Sequence, residues 1–124
     1  MNVQVTPAAL QEIAVLRRSG YRGAGFLLGS TLGRFVLVER LLPLDFNREN
    51  GDTVYGTVCE NYQSRLQGVF FCRKRRFVVD WILQDLVMDI GRDQVRMFTC
   101  EFSASRRAAH LLPLREEKEG AWRI

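Results

Sequence analysis

Residues 25–43 constrain this chain most, because they hold two nearly unbroken apolar runs bounded by glycines and a proline. The first run spans residues 25–29, and the second spans residues 34–43. Apolar runs of this kind are typical of strands that are buried on both faces of a sheet. We therefore predict two adjacent strands at the centre of a sheet. Glycines tolerate the positive φ of a tight turn, so residues 29–33 are predicted to connect them.

Two helices are predicted to flank this sheet. The first runs from Pro7 to about Arg18, since Thr6 offers an N-cap hydroxyl, Pro7 suits the first helical position, and Gly20 can take a left-handed stop. The second spans residues 77–90, where a period of ~100° per residue places the apolar side chains on one stripe. That stripe consists of Val79, Ile82, Leu83, Leu86, Val87 and Ile90.

The other segments are predicted mainly from alternation of apolar and polar residues. Short strands are expected at residues 3–5, 53–59, 68–72, 95–102 and 108–114, with about two helical turns at 60–67, a charged turn or frayed helix at 115–120, and an edge strand at 121–124. The first strand is expected at the domain edge, and the face of residues 95–102 that carries Phe98, Cys100 and Phe102 is expected to be covered. The prediction is an α+β single domain over residues 1–124, a mixed sheet flanked by two main helices.

Composition limits where such a chain can work. With 47% hydrophobic residues in 124, the chain can close a core, yet no run approaches the ~18 to 20 apolar residues of a membrane span. The N-terminus lacks the basic and then apolar pattern of a signal peptide. We therefore expect a soluble cytoplasmic protein without a membrane partner. The three cysteines are an odd number without Cys-x-x-Cys spacing, which favours reduced thiols over disulfides or a zinc knuckle.

Much of the net charge of +4 sits in one run, Arg73, Lys74, Arg75 and Arg76. A second basic pair is formed by residues 106–107. The run permits two interpretations, a solvated loop or a surface that binds an anion, nucleic acid included. Aromatic residues flank the run at Phe71 and Phe77 but are not interleaved within it, so the pattern of single-strand binders is weak.

The residues offer little for catalysis. His110 is the only histidine, so a Cys–His or Ser–His nucleophile would have to use it as the base. The carboxylates of Asp80, Asp85 and Asp89 would lie along the solvent-exposed face of the second predicted helix, where carboxylates are ordinarily hydrated and not catalytic. A small enzyme built on Cys72 or Cys100 stays an alternative. No catalytic residue, metal ligand or cofactor is predicted.

The order of these elements resembles the MPN (JAB/JAMM) domain family. The resemblance covers residues 1–102: a strand leading into the helix that begins at Pro7, a Gly-x-Leu-x-Gly strand at 25–29, a strand ending at Pro43, and residues 68–71 followed by the 77–90 helix. Residues 103–124 would form C-terminal strands and a tail. The resemblance implies the layered architecture that MPN domains share with cytidine deaminases.

Active members of that family hold one zinc ion with two histidines and an aspartate, and a glutamate serves as the base. Carried over to this chain, the glutamate position falls among residues 22–24, beginning with Arg22, and the His-x-His pair falls on Phe71, Cys72 and Arg73. Asp80 or Asp85 could occupy the neighbourhood of the acid, without the accompanying serine. The degenerate site therefore comprises Arg22, Phe71, Cys72, Arg73 and Asp85.

The resemblance thus implies a catalytically inactive MPN-like domain whose partner is another protein or a second copy of itself. Two alternatives remain open at this point. One is an anion or nucleic-acid binder that uses residues 73–76, and the other is the cysteine-dependent enzyme.

Overall fold

A computed structural model of this protein describes residues 1–103 and 108–124. Its elements in chain order are β1 (Asn2–Val5), α1 (Pro7–Ser19), β2 (Gly23–Leu32), β3 (Phe35–Leu42), α2 (Gly51–Tyr62), β4 (Leu66–Cys72), β5 (Leu86–Ile90), β6 (Val95–Ser103), β7 (Ala108–Pro113), β8 (Arg115–Lys118) and β9 (Ala121–Arg123). Short 3₁₀ helices cover Gln63–Arg65 and Asp80–Gln84. Among the described residues, no helix is both long enough and apolar enough to cross a membrane.

The strands form one sheet in the order β7-β6-β5-β4-β2-β3-β1-β9-β8. The pairs β1–β3 and β4–β5 are parallel, and the other neighbours are antiparallel. The two edge strands, β7 and β8, are separated in the chain only by Leu114, whose N–H donates to the Met97 carbonyl at 2.8 Å. The sheet is therefore strongly curved and nearly closed.

The predicted central hairpin is confirmed. β2 is the middle strand of the sheet, and its residues 23–29 are all buried. Gly25 is required there, because a Cβ would lie 2.2 Å from the Leu42 carbonyl oxygen. The turn itself is shorter than predicted. Both strands continue past Gly29, and the chain reverses at Gly33 and Arg34, with φ of 62° at Gly33.

Helix α1 is also confirmed, together with its capping. The Thr6 Oγ1 accepts a hydrogen bond from the Ala9 N–H at 3.1 Å, and Gly20 takes the left-handed conformation at φ 73°. The helix buries Ala9, Ile13 and Leu16 against one face of the sheet.

The predicted helix at 77–90 is wrong. Only Asp80–Gln84 is helical, as a short 3₁₀ turn, and Leu86–Ile90 is strand β5, paired on one side with β4 and on the other with β6. A strand buried on both faces carries apolar residues at nearly every position, so it also satisfies a helical stripe. Leu86, Val87, Met88 and Ile90 are all at most 2% exposed.

The predicted strand at 53–59 is wrong as well, because this segment lies within helix α2. Its apolar side chains at Val54, Tyr55, Val58 and Tyr62 follow a helical spacing that packs against the second face of the sheet. Smaller corrections concern the edges. β1 and β9 are interior strands, and the charged segment from Arg115 is edge strand β8.

These differences overturn the predicted α+β class. In the part of the chain that the structure describes, 46% of the residues are in strands and 27% in helices, so the fold is mostly sheet. It is a nearly closed nine-stranded sheet with two short helices, and not a mixed sheet flanked by two main helices or the layered architecture that the resemblance implied.

Two groups of buried side chains lie on the two faces of this sheet. The α1 core joins α1 to aliphatic residues of the strands, including Val38, Leu27 and Met88. The α2 core lies on the other face and is richer in aromatic residues. Its buried members are Ala24, Phe26, Phe46, Val58, Val69, Phe71, Ile82, Val87 and Phe98.

Candidate functional site

The pairing of β2 with β4 brings two of the expected site positions together. Ala24 lies directly opposite Phe71, and Gly23 lies opposite Cys72. Ala24, Phe71 and Cys72 are each 0% exposed. The glutamate position and the first histidine position of the family resemblance are therefore neighbours across two central strands, and apolar side chains close both of them. Arg22, just before β2, is exposed.

An ion pair covers this end of the two strands. The Asp45 Oδ1 accepts hydrogen bonds from the Ala24 N–H at 2.7 Å and from the Lys74 ammonium at 2.8 Å. Lys74 also donates to the Phe46 carbonyl at 2.7 Å. Burial alone would raise the pKa of Asp45, but the hydrogen bonds from Lys74 and Ala24 outweigh it and lower that pKa. Asp45 is consequently a carboxylate already bound to an ammonium, not a free ligand.

Arg73 supports helix α1. Its backbone takes a positive φ of 53°, which is uncommon for a residue with a side chain, and its N–H donates to the Ile90 carbonyl at 3.2 Å. The Nη2 donates to the Arg17 carbonyl at 2.9 Å, where a cation offsets the negative end of the helix. The guanidinium therefore caps a helix at the place where the second histidine was expected.

Asp85 does not join this group. It precedes β5, which runs parallel to β4 with Leu86 opposite Gly68. Phe71 and Cys72 lie at the far end of β4, roughly 13 Å or more along the strand at about 3.3 Å per residue. The structure thus brings Ala24 and Phe71 together in the α2 core, places the Cys72 side chain on the opposite face in the α1 core, and leaves Asp85 apart.

Asp85 lies instead beside helix α2. Burial raises the pKa of Asp85 to about 7. Burial also raises the pKa of Tyr55 to about 12, with contributions from the Cys59 thiol and the charge of Asp85. Trp81 stacks on Tyr55 with ring centroids 4.3 Å apart, and its Nε1–H donates to the Asp52 carboxylate at 3.1 Å.

The residues present at the degenerate site do not fit a zinc ion. A catalytic zinc site needs three protein ligands and an open position for water. Phe71 and Arg73 supply no ligand at the two histidine positions, and Ala24 supplies no base at the glutamate position. Within residues 1–103 and 108–124, no three histidine, cysteine, aspartate or glutamate side chains come together as a group that could hold a metal ion. No protein-family model matches this chain, and no curated protein matches it significantly.

The cysteine alternative gains no support from the geometry. Burial raises the pKa of both Cys72 and Cys100, so each thiol is kept in its protonated, unreactive form. In the β6–β7 pair, Cys100 lies opposite Leu111, whereas His110 lies opposite Glu101. Because successive side chains of a strand point to opposite faces, Cys100 and His110 lie on different faces of the sheet.

The basic run is mostly committed to intramolecular contacts. Besides Arg73 and Lys74, Arg76 places its guanidinium 4.4 Å from the centroid of the Phe98 ring, and its Nη1 lies 3.6 Å from the Asp89 Oδ2. Arg75 is exposed. The second basic pair, at residues 106–107, lies outside the described residues.

An open cleft of about 640 Å³ lies between this run and the loop before α2. We call it the basic cleft, and its lining residues are Asn47, Arg48, Glu49, Lys74, Arg75, Arg76 and Phe77. The sequence did not single out Asp45, Arg48 or Tyr55 individually, because their partners are distant in the chain. Two weaker signals were present: the polar loop over residues 45–52, which could carry partner contacts or merely connect, and Trp81, which falls off the apolar stripe of the helix wrongly predicted for its segment.

Proposed function

We propose that this chain is a catalytically inactive relative of the MPN domain family, and that it works by binding another protein or a second copy of itself. The observation that carries the proposal is the closed state of the site positions. Ala24 and Phe71 are buried side by side, and the Asp45–Lys74 ion pair covers the end of their strands. A hydrolase of that family would need a base and metal ligands at these same places.

The exposed apolar surface supports a role in protein contacts. Val15 and Leu44 are 49% and 40% exposed near a shallow, largely apolar groove of about 220 Å³ between α1 and the end of β3. At the β2–β3 turn, Leu32 is 82% exposed and Phe35 is 40% exposed. Exposed apolar groups that lie together often mark surfaces for a protein partner.

This chain departs from the family resemblance in its architecture, which is a nearly closed sheet, and in one segment. The resemblance includes a helix over residues 77–90, and this chain has a 3₁₀ turn and strand β5 instead. The kinship is therefore proposed from the first half of the chain and from the placement of residues 22–24 beside residues 71–73.

Metal analysis of the purified protein tests the loss of the site. The chain is incubated with equimolar zinc sulfate, desalted, and measured for bound zinc, while isopeptide and peptide substrates are assayed in parallel. We expect neither retained zinc nor hydrolysis, because Phe71 and Arg73 replace the two histidine ligands and Asp85 lies apart from them. One tightly held zinc per chain together with hydrolysis would overturn the proposal.

Sedimentation velocity over a range of protein concentrations then separates the two kinds of partner. A concentration-dependent shift from monomer to dimer supports self-association. A monomer at every concentration excludes self-association and leaves a different protein as the proposed partner.

A further inference from the structure

We propose that the basic cleft binds an acidic segment of a protein partner, with aspartate or glutamate carboxylates held by Arg48, Arg75 and Arg76. This inference rests on the proposed function, since it gives the partner of the interaction domain a chemistry. Carboxylates accept paired hydrogen bonds from a guanidinium, so arginines are the side chains best suited to hold them.

The charge of the cleft has one dominant sign. Its lining carries four cations, Arg48, Lys74, Arg75 and Arg76, and one acid, Glu49, which leaves a formal charge of +3. Its volume of about 640 Å³ is within the range of ordinary ligand pockets and admits side chains of a peptide. An acidic segment therefore complements the cleft in both charge and size.

Two of the arginines are held in place before any partner arrives. The Arg48 Nη1 donates to the Val78 carbonyl at 3.2 Å, and its guanidinium lies 5.3 Å from the centroid of the Phe77 ring. Arg76 is fixed over Phe98. A guanidinium has five N–H donors, so Arg48 keeps donors for a ligand after this contact. Side chains ordered in advance lose less entropy on binding, which favours affinity.

The same geometry favours carboxylates over a nucleic acid. Nucleic-acid binders need an extended stripe of free cations and exposed aromatic faces for the bases. Here the cations form one compact group instead of a stripe, and the ion pairs of Lys74 with Asp45 and of Arg76 with Asp89 lower the charge that a long polyanion would meet. Phe77 offers little surface to a base, because Arg48 lies over its ring and Phe46 and Phe71 pack against it at 5.6 Å and 5.2 Å.

Fluorescence anisotropy tests the inference with a fluorescein-labelled peptide that contains six consecutive glutamates between Gly-Ser ends. The same peptide with glutamines is the ligand control, and a labelled thymidine oligonucleotide of twenty bases is the nucleic-acid arm. Arg75→Glu is the test variant because Arg75 is exposed and its replacement should leave folding intact. Arg34→Glu is the matched variant, with the same charge change at the β2–β3 turn, roughly 30 Å away along β2.

We expect the glutamate peptide to bind and the glutamine peptide not to bind. Arg75→Glu should weaken binding about tenfold or more, because a like charge then faces the ligand. Arg34→Glu should change the Kd by no more than about twofold, since distant surface charges are screened. Arg75→Ala, which removes the charge without reversing it, should weaken binding by about threefold, and thermal unfolding of each variant checks that it is folded.

Three results would overturn the inference. The first is no binding of the glutamate peptide, and the second is equal weakening by Arg75→Glu and Arg34→Glu. The third is tighter binding of the oligonucleotide that Arg75→Glu abolishes, which would assign the cleft to nucleic acid. If the glutamate peptide does not bind but the chain retains no zinc and hydrolyses no substrate, this inference fails and the proposed function stands. If the chain retains zinc and hydrolyses substrate, the proposed function itself fails.

Discussion

The two faces of the sheet are built differently. The α1 core is mainly aliphatic, and its helix is fixed by local signals, the Thr6 cap and the Gly20 stop, with Arg73 added at its end. The α2 core is centred on Phe46, which packs against the rings of Phe26, Phe71, Phe77 and Trp81 at centroid distances of 5.2–5.8 Å.

Helix α2 has weaker local support than α1. Its N-cap residue, Asn50, makes no side-chain bond to the helix, and its fully buried residues are Gly51 and Val58. The ionisable groups with altered pKa values near this helix, Asp85 and Tyr55, lie on the same side. The helix on one face is therefore set by short-range signals, whereas the helix on the other face depends on long-range aromatic contacts.

The largest effect is expected from Phe46→Ala. Removing a ring that is 1% exposed leaves a cavity, and we expect the free energy of unfolding to fall by about 3–5 kcal/mol. Urea denaturation measures this loss, and Phe102→Ala, at a side chain 56% exposed, is the control with a change of about 0.5 kcal/mol. Hydrogen exchange should show α2 losing protection before α1. Simultaneous loss in both helices would contradict the comparison.

A second large effect concerns the pH dependence of stability. The pKa of Asp85 is raised from 3.8 to about 7 on folding, so between these pH values the folded state binds more protons than the unfolded state. The free energy of unfolding therefore falls as pH rises from about 4 to about 7 and then levels off. One pKa unit corresponds to about 1.4 kcal/mol, so the loss is on the order of a few kcal/mol.

Asp85→Asn should remove this part of the pH dependence and make the protein more stable than wild type above pH 7. Chemical denaturation at a series of pH values measures it, with the exposed Asp80→Asn as the matched control. Identical pH profiles for wild type and Asp85→Asn would show that the carboxylate is solvated and that this region of the α2 side is open.

A smaller effect is expected on the α1 side from Thr6→Ala. The Thr6 hydroxyl accepts the Ala9 N–H, and loss of such a cap costs about 1 kcal/mol. Thr6→Ser keeps the hydroxyl and should retain most of the stability, while Thr53→Ala serves as a control at an exposed threonine. Thermal unfolding monitored by circular dichroism measures all three. A loss as large as that of Phe46→Ala would mean that α1 is no better supported than α2.

The smallest effect on stability is expected from Leu32→Ser, which lies outside both cores. Because this side chain is 82% exposed, the free energy of unfolding of the monomer should change by no more than about 0.5 kcal/mol. Urea denaturation at low protein concentration measures it. A larger loss that grows with protein concentration would show that the β2–β3 turn is buried between copies of the chain.

The predictions from sequence succeeded where short-range signals decide the structure. The buried hairpin, helix α1 and its two caps, strand β4, and strands β6 and β7 are all encoded by periodicity, glycines and capping residues nearby in the chain. The covered face expected for β6 is only partly confirmed, because Phe98 is buried but Phe102 is exposed.

The predictions from sequence were wrong where a segment is buried on both faces, because its apolar residues then show neither the period of a strand nor that of a helix clearly. Residues 86–90 are apolar at nearly every position, so their spacing also matches a helical stripe. Hydrogen bonds with β4 and β6 nevertheless make them a strand. In the same way, the sequence identified the basic run but not its partners. Asp45, Asp89 and the Arg17 carbonyl lie 29, 13 and 56 residues away from Lys74, Arg76 and Arg73.

Short-range features of the sequence therefore specify a central glycine-rich hairpin, a capped first helix, and residues other than histidine at the two expected histidine positions. Long-range contacts in the folded chain determine that the sheet is nearly closed, that residues 51–62 form a helix while 86–90 form a strand, and that the cations of the basic run lie around a cleft. The physical reason is that local propensity and capping act within a few residues. Strand pairing and ion pairing are chosen by neighbours that only folding brings together.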